Sequence, residues 1–132
     1  MQGHRSTCHK SQVKCMNNYG YKKLVVWQKA DQLAFEIYNC TKNFPKEETY
    51  GMTSQLRRAA LSIPLNIAEG CGRQKPKELR QYANIALGSL AETEYLISFA
   101  HRLGSLEIPM FNEINKLRQE VGRLLWGFYQ SL

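Results

Sequence analysis

The chain has 132 residues, 43% of them hydrophobic and 22% charged, and its 18 Lys and Arg against 11 Asp and Glu give a net charge of +7. That length supports one domain with a core large enough to stand without disulfide or metal staples, and leaves no room for a second. No apolar run is long enough to span a bilayer and no secretory h-region is present, so a cytoplasmic protein is expected.

Met1 to Gly20 carry three basic groups, no acid and almost no apolar periodicity. They read as a disordered leader ahead of a domain over residues 21–132. Cys8 and Cys15, near His4 and His9, lack compact zinc spacing, so no metal site is assigned there.

Lys22 and Lys23 lead into a first helix expected from about Val26 to Asn43, where Trp27, Ala30, Ala34, Ile37 and Thr41 repeat at three and four. Trp27 reads as a core anchor and only secondarily as a surface on which a base could stack. FPKEETYG ends this helix at Pro45 and starts the next around Gly51 to Thr53, a link short enough to imply antiparallel neighbours.

The second helix, YGMTSQLRRAALSIPLNIAEGCGR, has two ordered faces. Leu56, Ala60, Ile63 and Ile67 fall within an arc of about 60°, a seam for a core. On the far side Arg58, Ser62, Asn66, Glu69 and Arg73 gather within about 80°, a polar stripe. Pro64 removes an amide inside the pattern, so a kink near residues 60 to 64, or a break, is expected. The helix is expected to stop at Gly70-Cys71-Gly72 with a glycine in the left-handed cap conformation.

Pro76 opens a third helix, with Glu78 in its first turn. Leu79, Ala83, Ala86, Leu90, Thr93, Ile97 and Ala100 hold the seam through to Arg102. Ala83, Ala86, Gly88, Ser89 and Ala91 are expected to let a neighbouring backbone come close. Gly104 closes this helix and Pro109 opens a fourth, with Met110, Ile114, Leu117, Val121, Leu124 and Phe128 as its seam. The pattern is all-α: an antiparallel up-down-up-down four-helix bundle behind a disordered leader.

Leu61, Leu65 and Trp126 lie off these seams. Either the Pro64 kink turns Leu65 inward and Trp126 covers a helix edge, or these side chains belong to a subunit interface. The leader holds three of the net positive charges, leaving +4 on the domain, and Arg57, Arg58, Arg73, Lys75, Lys77 and Arg80 face only Glu69 and Glu78 between positions 57 and 80. A patch of that density attracts polyanions. The turn GRQKPKELR sets Arg73, Lys75 and Lys77 beside the free amides of a helix start, a reasonable seat for phosphate.

Signals for catalysis are weak. There is no inward Glu-x-x-His pair for a di-iron centre, His101 reads as a surface residue at a helix end, and Cys71 sits where the negative end of a helix dipole disfavours a thiolate. Glu69, Glu92 and Glu94 lack a partner base or an oxyanion-stabilising loop and read as arginine partners. No enzyme, metal or cofactor is expected.

The strings VVWQKADQLAFEIY, NFPKEETYGMTSQLRRAALSIPLNIAEGCGR and IALGSLAETEYL resemble the family of 23S rRNA intervening-sequence proteins, also called four helix bundle proteins. Trp27, Arg57, Arg58, Ser62, Pro64, Asn66, Glu69, Gly70, Arg73, Leu90 and Glu92 stand where that family's motif would place them. The resemblance runs from about Tyr21 to Leu132 and implies a non-enzymatic antiparallel bundle. The family is similar, more remotely, to the accessory variability determinant of diversity-generating retroelements, a basic homopentamer that binds nucleic acid and a reverse transcriptase.

Two functions follow as expectations. In the first, a homo-oligomeric ring, a pentamer by resemblance, binds RNA or DNA through Arg57, Arg58, Arg73, Lys75, Lys77 and Arg80. In the second, Arg58, Leu61, Ser62, Leu65, Asn66, Glu69, Arg73 and Trp126 build an oligomer that acts as an interaction module, with a reverse transcriptase as a conceivable partner.

Overall fold

The computed structural model describes residues 20–132. The expected leader, with Cys8 and Cys15, lies outside the described residues apart from Gly20. Four α-helices make up the described part: α1 (Val25–Thr41), α2 (Ser54–Arg73), α3 (Pro76–Arg102) and α4 (Met110–Gln130). A π turn over Thr49–Thr53 leads into α2, made possible by Gly51, whose backbone departs from helical angles.

Side-chain pairs fix the helix directions. Between α2 and α3, Ser62 meets Ser89 and Glu69 meets Tyr82. Between α3 and α4, Glu94 meets Arg118 and His101 stacks on Phe111. In both sets one partner advances as the other recedes, so these neighbours run antiparallel. Arg57, in the first turns of α2, reaches Thr41 at the end of α1, and Lys29 of α1 meets Glu120 of α4 at 3.1 Å. This ring of contacts is compatible with the up-down-up-down order that the short links imply.

The seams of α2 and α3 bury as their spacing dictates. Leu56, Ala60, Ile63 and Ile67 of α2 are wholly inaccessible, and all seven seam positions of α3 are buried. The one hydroxyl in that row, Thr93, donates to the Ser89 carbonyl at 2.8 Å, which lets a polar group sit at full burial.

Several expectations change. α1 ends at Thr41 rather than Asn43. α2 continues unbroken through a buried Pro64. It also runs past both glycines to Arg73, and the left-handed cap residue is Gln74, at φ 57°. Gly70 is needed for another reason: a Cβ there would lie 2.8 Å from Tyr82 Cβ and 3.1 Å from Leu79 Cδ1, so only glycine lets α3 come this near. Gly88 does not serve that purpose. It is exposed, as is Ala91, and a Cβ on Gly88 would meet nothing within 4 Å.

On α4 the seam passes through Leu125 instead of Leu124, while Met110 is exposed. The strict four-three count drifts relative to 3.6 residues per turn, and the next residue comes round to the core. Gly104 does close α3 with a positive φ of 82°, and Pro76 takes the first helical position of α3. No helix among the described residues is long and apolar enough to cross a membrane.

Candidate functional site

The polar stripe of α2 turns along α3 and is mostly spent on that contact. Ser62 Oγ lies 2.8 Å from Ser89 Oγ. Asn66 folds back, its amide donating to the Ser62 carbonyl at 2.7 Å and to Ser62 Oγ at 2.9 Å. One turn on, Arg73 donates to Glu69 at 3.0 Å and to the Tyr82 hydroxyl at 2.8 Å, and that hydroxyl in turn donates to Glu69 at 3.1 Å. The closed triad is next to Gly70, where a Cβ would lie 2.8 Å from Tyr82 Cβ.

The hydrogen bond from Arg73, and then that from Tyr82, hold the Glu69 carboxyl below the usual carboxylate range. The same bond from Arg73 to Glu69 pushes the guanidinium pKa up. Tyr82 was not legible from motif or charge. Its signal is register: Glu69 and Tyr82, like Ser62 and Ser89, are equidistant from the Lys75–Pro76 junction, as facing residues of a tight helical hairpin must be.

The six predicted cations part company. Arg57 turns inward, its Nε donating to Thr41 Oγ1 at 2.7 Å and Nη2 to the Tyr38 carbonyl at 3.2 Å, with the guanidinium 4.8 Å from the Tyr38 ring centre. It thereby adds a charged donor to the Tyr38 carbonyl near the end of α1, which also accepts from Thr41 Oγ1 at 3.1 Å. Arg58 is exposed. It borders an open notch of about 430 Å³ with Gln55, Ala59, Ser62 and Glu92.

Around the α2–α3 turn, Arg73 lies 3.9 Å and Lys75 3.7 Å from Glu78. Lys77 and Arg80 are exposed and enter no ion pair among the described residues. Both line a shallow depression of about 300 Å³ with Gln81, Asn84 and Tyr129, where the Arg80 guanidinium sits 4.3 Å above the Tyr129 ring centre.

The off-seam apolar residues are indeed outside. Leu61, Leu65 and Trp126 are 45%, 60% and 51% exposed, so continuation of α2 through Pro64 does not turn Leu65 inward. Leu61 and Leu65 lie one turn apart on α2, and Ile85 and Tyr95 of α3 are exposed to a similar degree. Trp126 lies elsewhere, stacked on Tyr129 at 5.7 Å.

Two other groups have a chemistry of their own. His101 is half-buried, its Nδ1 donating to the Leu106 carbonyl at 2.7 Å while its ring stacks on Phe111, so it closes the α3–α4 corner instead of standing free at the surface. Cys40 borders a cavity of about 530 Å³ beside residues 103–110. Burial pushes its thiol up to about 11, which keeps it protonated and unreactive near neutral pH. No group of three or more His, Cys, Asp or Glu among the described residues is placed to hold a metal ion.

No curated protein matches the chain. A solved structure described as a protein with unknown function from the S23 ribosomal protein family, from Bacteroides thetaiotaomicron VPI-5482, superposes with a TM-score of 0.73 at 29% identity, covering 80% of this chain and 95% of that one. The family model for the 23S rRNA-intervening sequence protein matches residues 22–127. With that match spanning most of its length, the chain belongs to the 23S rRNA-intervening sequence protein family.

Proposed function

We propose that this protein is a non-enzymatic, self-associating bundle that binds RNA or DNA through the basic surface around the α2–α3 turn. The observation that carries this reading is the uneven pairing of charge there. Glu69 and Glu78 are taken up by Arg73 and Lys75, whereas Lys77 and Arg80 stay exposed with no carboxylate partner among the described residues. Unpaired cations beside a helix start suit phosphate oxygens. The family's description, which names an rRNA intervening sequence, favours RNA over DNA. Arg57 is assigned to holding α1 against α2, and the phosphate-binding role passes to the other predicted cations.

Binding of this kind is dominated by counterion release, so affinity falls steeply with salt. In a filter-binding series with a structured RNA, Lys77→Ala combined with Arg80→Ala should lower the slope of log affinity against log salt by about 2. An unchanged slope would remove this surface from the assignment.

Self-association has its own support. Leu61 and Leu65, one turn apart, form an exposed apolar strip on α2. The notch beside it carries Arg58 and Glu92, opposite charges that enter no ion pair among the described residues. An apolar strip edged by both signs is self-complementary between copies. Leu65→Glu should then lower the mass seen by light scattering, and an unchanged mass counts against this face.

A further inference from the structure

The α3–α4 face differs in kind from the α2–α3 face. Resting on the nucleic-acid reading above, we propose that Trp126, Tyr129 and Arg80 form a stacking platform for unpaired bases of single-stranded RNA, with Lys77 and Arg80 taking the adjoining phosphates.

The core of α4 is complete without Trp126: Ile114, Leu117, Val121, Leu125 and Phe128 are its buried residues. Trp126 instead presents about half of its surface outward and stacks on Tyr129, with ring centres 5.7 Å apart and planes inclined by 29°. Arg80 lies over the same tyrosine at 4.3 Å. A guanidinium, a phenol and an indole thus stand in one group, and its half-exposed indole is a planar surface on which a base can lie. Beside them the depression is lined by Lys77, Gln81 and Asn84. This supplies a second cation for the backbone and two amides able to bond a ribose 2′-hydroxyl.

Charge decides between RNA and a second copy of the chain. Lys77 and Arg80 have no carboxylate partner among the described residues. A two-fold contact through this face would bring like charges together, whereas a polyanion neutralises them. The α2–α3 face, with Arg58 and Glu92 at its notch, suits self-association better. Trp126 therefore leaves the interface set in which its exposure alone had placed it.

The test uses the full chain and fluorescence anisotropy with four probes: oligouridylate of about 12 nucleotides, the scale of one single-strand site, its oligodeoxyuridylate counterpart, an abasic ribose-phosphate chain of the same length, and an RNA duplex. Trp126→Ala should weaken oligouridylate binding roughly tenfold while leaving the salt slope, the duplex and the abasic chain unaffected. Trp126→Phe should restore most of the loss, and light scattering should show the wild-type mass for both variants. Wild-type oligouridylate binding that is indifferent to Trp126→Ala overturns the platform and leaves the nucleic-acid reading standing. Equal losses for duplex and single strand overturn it too, as does a lowered mass, which would make Trp126 an interface residue. Equal wild-type affinity for the deoxy chain overturns the RNA assignment, and no wild-type binding to any probe overturns the underlying reading as well.

Discussion

Two helix glycines should respond to alanine with opposite signs. On propensity alone, alanine in a helix interior is favoured over glycine by about 1 kcal/mol. At Gly88 nothing lies within 4 Å of the added methyl, so Gly88→Ala should gain most of that, about 0.5–1 kcal/mol. At Gly70 the methyl would lie 2.8 Å from Tyr82 Cβ, 3.1 Å from Leu79 Cδ1 and 3.4 Å from Leu79 Cα. Tyr82 Cβ is the root of its side chain and Leu79 Cα is backbone, so neither can swing aside, and relief requires α3 to move away from α2. Overpacking of this kind costs about 1–3 kcal/mol, which offsets the propensity gain and leaves Gly70→Ala destabilised by up to about 2 kcal/mol. Urea unfolding followed by circular dichroism, at one protein concentration for all variants, measures the difference. The same displacement would lengthen the 3.1 Å hydrogen bond from the Tyr82 hydroxyl to Glu69, so the Glu69 carboxyl should titrate closer to its ordinary value in Gly70→Ala. If Gly70→Ala matched Gly88→Ala in stability, the close approach of α2 and α3 would not be what fixes glycine at position 70.

Arg57→Ala should cost about 1.5–3 kcal/mol in the same unfolding assay, because it removes hydrogen bonds from a charged group to Thr41 and Tyr38; a change below a few tenths would place Arg57 among ordinary surface cations. Glu69 is held below the usual carboxylate range chiefly by Arg73 and then by Tyr82. Since its folded pKa is the lower one, the triad's stabilisation is present above the unfolded value of about 4.3 and is lost as pH falls through the folded value. Melting curves of wild type and Glu69→Gln should therefore converge in acid and separate above it, and a parallel offset at every pH would reject the linkage. With its thiol pushed up to about 11 by burial, Cys40 in the folded protein at pH 8 should be alkylated by iodoacetamide at least about tenfold more slowly than in urea. Peptide mapping reads this site by site, and equal rates would mean the thiol is not shielded.

The helices and their seams were legible because each rests on local arithmetic. Leu56, Ala60, Ile63 and Ile67 repeat at three and four, and all become inaccessible. What failed depended on which neighbour a residue meets. The pattern puts Gly70 at a helix cap and Gly88 at a close helix contact, yet it is Gly70 that lies under Tyr82 while Gly88 faces outward. Position 74 took the left-handed cap although it is glutamine, because α2 could continue through Gly70 and Gly72 to Arg73 before turning. Arg57 and Arg58 are adjacent and chemically identical, but about 100° of helical rotation sends one to the end of α1 and the other outward. Charge density alone could not separate them.

The same reasoning changes how the polar stripe of α2 should be probed. Glu69, Arg73, Ser62 and Asn66 have partners within the chain, so replacing Glu69 disturbs the α2–α3 hairpin before it can report on any neighbouring subunit. A fall in mass on Glu69→Ala would then have two causes. Leu65 has no such internal duty: it is 60% exposed, and the adjoining Pro64 and nearby Ile63 and Ile67 fill the core beside it. Leu65→Glu leaves the triad and the serine pair intact while placing a charge on the apolar strip. Loss of assembly with unchanged monomer stability therefore locates the interface on the outward face of α2, whereas loss of both would show that Leu65 supports the fold itself.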